Sequence, residues 1–203
     1  MLSVITGDII DSRKAKSTKW ITGLKLLFSN FGETPNTWEI YRGDEFQIEI
    51  QNIETAFLTS IKTKAYLKSI GLDARMSIGI GNKDFASNKV SESNGTAFIF
   101  SGEGFNNLKK QKLNLSITTN NKSFNSDVNL FLKLGLTFMD KWTAQSAEYV
   151  YFALENPMLS QEEIGQKLGI NQAAVSRRGK RAHYDLILEL NNKINEKLKA
   201  IAK

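Results

Sequence analysis

The chain has 203 residues, 41% hydrophobic and 24% charged, with no cysteine, one histidine and a net charge of +6. That length buries a core without covalent staples and suits one large domain or a medium domain plus a small one. Disulfides, thiolate metal sites and cysteine nucleophiles are excluded, and the lone His183 cannot build a zinc cluster, so any metal must be a hard cation on carboxylates.

Residues 2–10 read as a buried strand that ends in Asp8 and Asp11, and residues 18–31 as a helix with Ile21, Leu24, Leu27, Phe28 and Phe31 on one face. Pro35 and Asn36 break the chain. Trp38 and Ile40, then Phe46, Ile48 and Ile50, alternate with polar neighbours around Gly43 and Asp44, which predicts a hairpin. A helical period over 53–70 stops at Gly71, "ARMSIGIG" is a further strand, and a helix near 94–108 and a strand "LNLSITT" follow a loop over 82–93. The order strand, helix, hairpin, helix, strand predicts an α+β fold, a ferredoxin-like split βαββαβ sheet with helices on one face.

The polar stretch "NNKSFNSD", at about 120–127, is the expected boundary between a sheet domain over 1–122 and an all-α domain over 127–203. Helices are expected at 127–140, 143–156, 160–168 and 171–184, with a terminal helix either separate from or continuous with the last. The segment from 160 onward holds nine Lys/Arg against five Asp/Glu, so most of the positive excess lies there and points to a polyanionic partner. The start "MLSVITGDII" has no basic leader, and the most apolar window, "VNLFLKLGLTFM", is short for a bilayer and contains Lys133. A cytoplasmic protein with no membrane partner is expected.

In the expected topology the first strand and the hairpin are neighbours, so Asp8 and Asp44 meet at one end of the sheet. Two close carboxylates repel, and a divalent cation removes that penalty. Mg²⁺ is commonly held by one or two carboxylates plus substrate phosphates, and Asp8, Asp44 and the carbonyl of Ile9 would suffice for Mg²⁺ or Mn²⁺. Arg42 and Arg75 carry charge that would neutralise phosphates or pair with nearby Asp or Glu. Gly43-Asp44 is also ordinary turn chemistry, and Asp11 and Ser12 are also ordinary helix-capping residues.

The motifs "GDIIDS" and "RGDEF" resemble the palm domain of class III nucleotidyl cyclases and diguanylate cyclases. With "ITGDIIDSR", "YRGDEFQ", "ARMSIGIG" and the helical tail, the whole chain is more similar to the SatD family of bacterial proteins. The palm resemblance, over about residues 1–120, implies that Asp8 and Asp44 hold metal on a nucleoside triphosphate and that Asp11 and Ser12 lie by its phosphates. Arg42 stands where diguanylate cyclases carry a second glycine, and "GTAFIFSGEGFNNLKK" has no Asn/Arg transition-state pair of the cyclase kind.

The tail "LSQEEIGQKLGINQAAVSRRGKR" carries a second signal. Ser160 and Glu163 form a capping box, Gly165 permits close helix crossing, Gly169 turns the chain, and Asn171 caps a second helix, a pattern that predicts a helix-turn-helix. The second helix would put Gln172, Ala173, Ser176 and Arg177 near base edges of duplex DNA and Arg178, Lys180 and Arg181 on phosphates. A plain helical hairpin with a solvated basic face is the structural alternative. The stripe Leu190, Ile194, Leu198 and Ile201 would either seal a homodimer or fold back on "VNLFLKLGLTFM". The functions expected are a DNA-binding regulator with a nucleotide-sensing palm, a working cyclase or nucleotidyltransferase, or a non-catalytic partner-binding protein.

Overall fold

The computed structural model describes residues 1–201; residues 202 and 203 of the expected helical segment lie outside them. The fold is α+β, with five strands and eight α-helices among the described residues. The strands are β1 (Leu2–Ile10), β2 (Trp38–Tyr41), β3 (Glu45–Ile50), β4 (Asp73–Gly81) and β5 (Leu115–Thr118). They form one sheet in the order β2-β3-β1-β4-β5, antiparallel except for the β4–β5 pair.

Three helices belong to the sheet segment: α1 (Ser17–Ser29), α2 (Ala56–Ser69) and α3 (Thr96–Gln111). Alternation along β1 assigns its two faces. Ile5 and Ile9 join the core with Trp20, Leu24 and Phe28 of α1 and Phe57 and Ile61 of α2. Val4 belongs to a separate apolar cluster with Ala97 and Phe98 of α3. Helix α3 approaches β4 closely because Gly79 has no side chain: a Cβ there would collide with the Ala97 carbonyl and the Ser101 backbone. The helices therefore cover both faces of the sheet, not the single face expected from the sequence.

The remaining helices are α4 (Lys122–Met139), α5 (Ala144–Glu155), α6 (Gln161–Leu168), α7 (Gln172–Ala182) and α8 (Tyr184–Ile201). The polar stretch read as a boundary is the start of α4, five residues before the expected helix. Asn121 caps it by accepting from the Phe124 amide at 2.9 Å, and Phe124 is buried. The asparagines cover the open edge of β5. The Asn129 amide accepts from Ile117 N at 3.0 Å and donates to Ile117 O at 2.7 Å, and Asn125 pairs in the same way with the Thr119 backbone. Side-chain amides thus take the place of a sixth strand, which shields an edge that would otherwise recruit one.

Sheet and helical segments share one apolar core, which runs from Ile5 and Ile78 through Val128, Leu136 and Val150 to Ile194 and Leu198. A buried ionic network ties them further. Lys64 of α2, fully buried, contacts Asp73 at 2.8 Å and Asp140 at 2.6 Å, and Lys68 donates to the Asp140 carbonyl at 2.6 Å. A buried ammonium is tolerated only with such compensation, and the two carboxylates supply it.

The stripe on α8 folds back in part: Ile194 and Leu198 are buried, while Leu190 and Ile201 are half-buried and Leu190 lines an open groove against α4. Ile187 and Asn191 are buried as well, and Lys197 pairs with Asp127 of α4 at 2.7 Å. Helices α7 and α8 are not continuous. His183 adopts a left-handed conformation (φ 54°), and its ring packs on Phe138 with centroids 4.8 Å apart. No helix among the described residues is long and apolar enough to cross a membrane.

Candidate functional site

The last turns of β1 and the β2–β3 hairpin bring charged side chains together at one end of the sheet. Register sets Asp8 directly opposite Glu45 on β3 and Arg75 on β4. Ile9 N donates to Asp44 O at 3.1 Å, so the hairpin turn is stitched to β1 beyond the regular ladder. Ser12 Oγ donates to Asp44 Oδ2 at 2.6 Å, which fixes that carboxylate against the chain leaving β1. The pairing of two acidic turns expected from the sequence is therefore present in this geometry.

Asp8 is the least comfortable group. Its Oδ1 is buried without a hydrogen-bond partner, while Oδ2 lies 3.5 Å from Arg75 and 3.8 Å from Lys109. Burial pushes its pKa above the ordinary 3.8, and the charges of Asp44 and Glu45 push the same way, against Arg75 and Lys109. A carboxyl whose folded pKa is raised contributes its stability fully below the unfolded value and loses it as pH rises through the folded value. Asp8→Asn is therefore expected to raise the melting temperature at pH 7. The gain should shrink as pH is lowered toward 3.8. Thermal unfolding of both proteins across that range checks it, and equal melting temperatures at pH 7 would refute it.

Of the other residues expected here, Arg75 touches Asp8, whereas Arg42 is exposed and 3.8 Å from Glu45. Arg42 has φ 50°, the left-handed region that glycine enters most readily, so the backbone there keeps a glycine-like shape despite the side chain. Asp11 is also left-handed, makes no capping bond and pairs with Lys14 at 2.8 Å. Sequence reasoning missed Lys109. It reaches Asp8 from α3 with its ammonium 4.4 Å over the Phe105 ring; the i,i+4 spacing signals the ring contact, but nothing local signals the approach to Asp8.

The carboxylate set is small: among the described residues no three His, Cys, Asp or Glu side chains are grouped to hold a metal. Two carboxylates and the Ile9 carbonyl still suit a hard cation that keeps waters or phosphate oxygens in its remaining positions. The orphaned Oδ1 of Asp8 is the observation that fits such a ligand.

The tail builds a second candidate surface. Ser160 N donates to the Glu163 carboxylate at 2.8 Å and Ser160 Oγ accepts from Glu163 N at 3.3 Å, so the capping box forms at the start of α6. Gly169 turns the chain at φ 66°, and Asn171 Oδ1 accepts from Ala174 N at 2.9 Å to start α7. A side chain at Gly165 would run into the Ile170 carbonyl, which is why the two helices can sit so close. Ile164 and Val175 are buried beneath them.

Along α7, Gln172, Ala173, Arg177, Lys180 and Arg181 are exposed and Ser176 is partly so. At about 100° per residue these six share one half of the helix. Arg178 falls on the other half with Val175 and Ala182. It pairs with Glu148 of α5 at 2.6 Å, and only 17% of its side chain is exposed. The expected phosphate contact by Arg178 is thus replaced by an internal ion pair, because helical phase turns it inward. Trp142 Nε1 donates to the Ala182 carbonyl at 3.0 Å and anchors the C-terminal end of α7. The chain matches no family model and no curated protein.

Proposed function

We propose that this chain is a SatD-like bacterial DNA-binding regulator whose α+β segment is a ferredoxin-like palm that binds a nucleotide through Mg²⁺ or Mn²⁺. The observation that carries the reading is α7: a capped helix held from behind by Val175, Arg178 and Trp142, presenting Arg177, Lys180 and Arg181 outward. A helix fixed on its inner side and basic on its outer side is suited to the major groove of duplex DNA. The strand order β2-β3-β1-β4 supports the palm reading, as does the meeting of Asp8 and Asp44 where β1 and the hairpin end.

When bound, a divalent cation would offset the two carboxylates and draw phosphate oxygens to this edge of the sheet. Asp8 and Asp44 would hold it, Ser12 keeps the Asp44 carboxylate in place, and Arg75 and Lys109 would supply positive charge for phosphates at this edge. Neither Arg75 nor Lys109 forms an Asn/Arg pair of the cyclase kind, which favours sensing over turnover. Binding of each ribonucleoside triphosphate with and without Mg²⁺, followed by product analysis and by duplex-DNA titration with and without the nucleotide that binds, tests the reading. Binding without product supports the sensor. Turnover abolished by Asp8→Ala would select the enzyme, and no DNA binding at low salt would remove the regulator.

A further inference from the structure

Between the sheet segment and the tail lies a cleft of about 650 Å³, walled by the C-terminal end of α1, by α2, α5 and α6, and by the start of α8. That size falls within the range of small-molecule sites, roughly 300–1,000 Å³. Leu27, Phe31, Leu58, Leu154, Ile164 and Leu188 give it apolar walls. Tyr149 and Tyr184 also line it, with ring centroids 5.5 Å apart and planes at 75°. Asp185 stands beside both rings: burial pushes the two hydroxyls above their ordinary 10, Tyr184 to about 12, and the Asp185 charge acts on each in the same direction. The tyrosines are therefore neutral. Of the other charged groups in the wall, Lys62 and Glu155 neutralise each other at 2.7 Å. Asp185, exposed in the first turn of α8, has no ion-pair partner among the described residues. The cleft thus carries apolar walls and one uncompensated negative charge beside two aromatic rings.

We propose that this cleft binds an amphipathic organic cation, a molecule of drug size with an aromatic or alkyl body and an ammonium end. The body replaces water against the apolar walls, and the ammonium meets Asp185 and the electron-rich tyrosine rings. An anion of the same shape is repelled by Asp185 and finds no free cation in the wall, since Lys62 is held by Glu155. A neutral molecule gains the walls only. Tyr149 also supports the tail: a Cβ at Gly179 of α7 would stand 3.1 Å from its ring, so an occupant of the cleft touches the residue that backs α7. The site shares no residue with the Asp8 and Asp44 edge, and it stands whether or not α7 meets DNA.

Calorimetric titration of the full chain with 4-phenylbutylammonium, neutral 4-phenylbutanol and anionic 5-phenylpentanoate tests this. The cation should bind on the order of tenfold more tightly than the alcohol, and the carboxylate more weakly than either. Asp185→Asn, at an exposed position and with its fold checked by a melting curve, should bring the cation down to the affinity of the alcohol without altering the alcohol. Glu189→Gln removes an exposed carboxylate of α8 that lies in the α4/α8 groove instead, and should change neither affinity. Leu188→Trp or Leu58→Trp, each filling the cleft from a different helix, should weaken the cation and the alcohol together in whichever variant keeps the wild-type melting curve. Equal affinity for cation and alcohol, undiminished cation binding in Asp185→Asn, a loss caused by Glu189→Gln, or full binding in a folded tryptophan variant would overturn the proposal.

Discussion

Replacing Lys180 and Arg181 together by alanine should flatten the dependence of log affinity for duplex DNA on log salt by roughly 2 units, since each lost phosphate contact retains about 0.9 counterion. The loss should be uniform across sequences. Both side chains are exposed on the outer half of α7, so removing them costs little folding energy. Arg178→Ala should behave in the opposite way. It removes the 2.6 Å pair with Glu148 and should lower the melting temperature with little change in salt slope. Arg177 lies between Ala173 and Arg181 on the outer half; if it meets a guanine edge, Arg177→Ala should cost about 1–3 kcal/mol at the preferred site and relax specificity there. Fluorescence anisotropy at several salt concentrations separates the three outcomes. An unaltered slope in the Lys180/Arg181 double variant would remove α7 from the interface.

Asp44→Asn should abolish Mg²⁺-dependent nucleotide binding, a loss larger than the roughly 10–100-fold that follows removal of an outer-shell partner. The substitution keeps an oxygen that can accept from Ser12 Oγ and leaves the Asp44 backbone bond to Ile9 untouched, so the fold should survive. What disappears is the negative charge. Calorimetric titration with and without Mg²⁺, beside a melting curve, tests this, and equal affinity in the two proteins would sink the shared site. Because the pKa of Asp8 is raised, its proton competes with the cation, and binding by the unaltered protein should weaken on acidification sooner than an ordinary carboxylate near 3.8 would cause.

Much of the architecture is legible in local pattern. The alternation in "WEIYRGDEFQIEI" predicts the hairpin that forms, and "LSQEEIG" predicts the capping box at its exact residues, because both depend on groups within a few positions of one another. The phase of Arg178 was legible too, since 175, 178 and 182 share a helix face, but its charge suggested solvent. The polarity of "NNKSFNSD" suggested a linker in the same way. Of its asparagines, Asn121 caps α4 and Asn125 bonds the Thr119 backbone just past β5, and only the position of β5 shows the second of these.

By itself, then, the amino-acid order determined the strands, the turn glycines and the caps of α6 and α7, all set by short-range periodicity and hydrogen bonding, whereas the approach of Asp8 to the Asp44 turn also needed the pairing of β1 with β3. Tertiary structure alone decided the partners of charges and the use of surplus apolar faces. Lys109 meets Asp8 because Gly79 lets α3 descend onto β4, and Lys64 is accommodated in the core because Asp73 and Asp140 arrive from two other elements. Ile194 and Leu198 of the α8 stripe turn inward to share the core with Val128, Leu132 and Leu136 of α4. Such outcomes depend on which elements meet, and burial makes a charge or a methyl group favourable or costly only once its neighbours are in place.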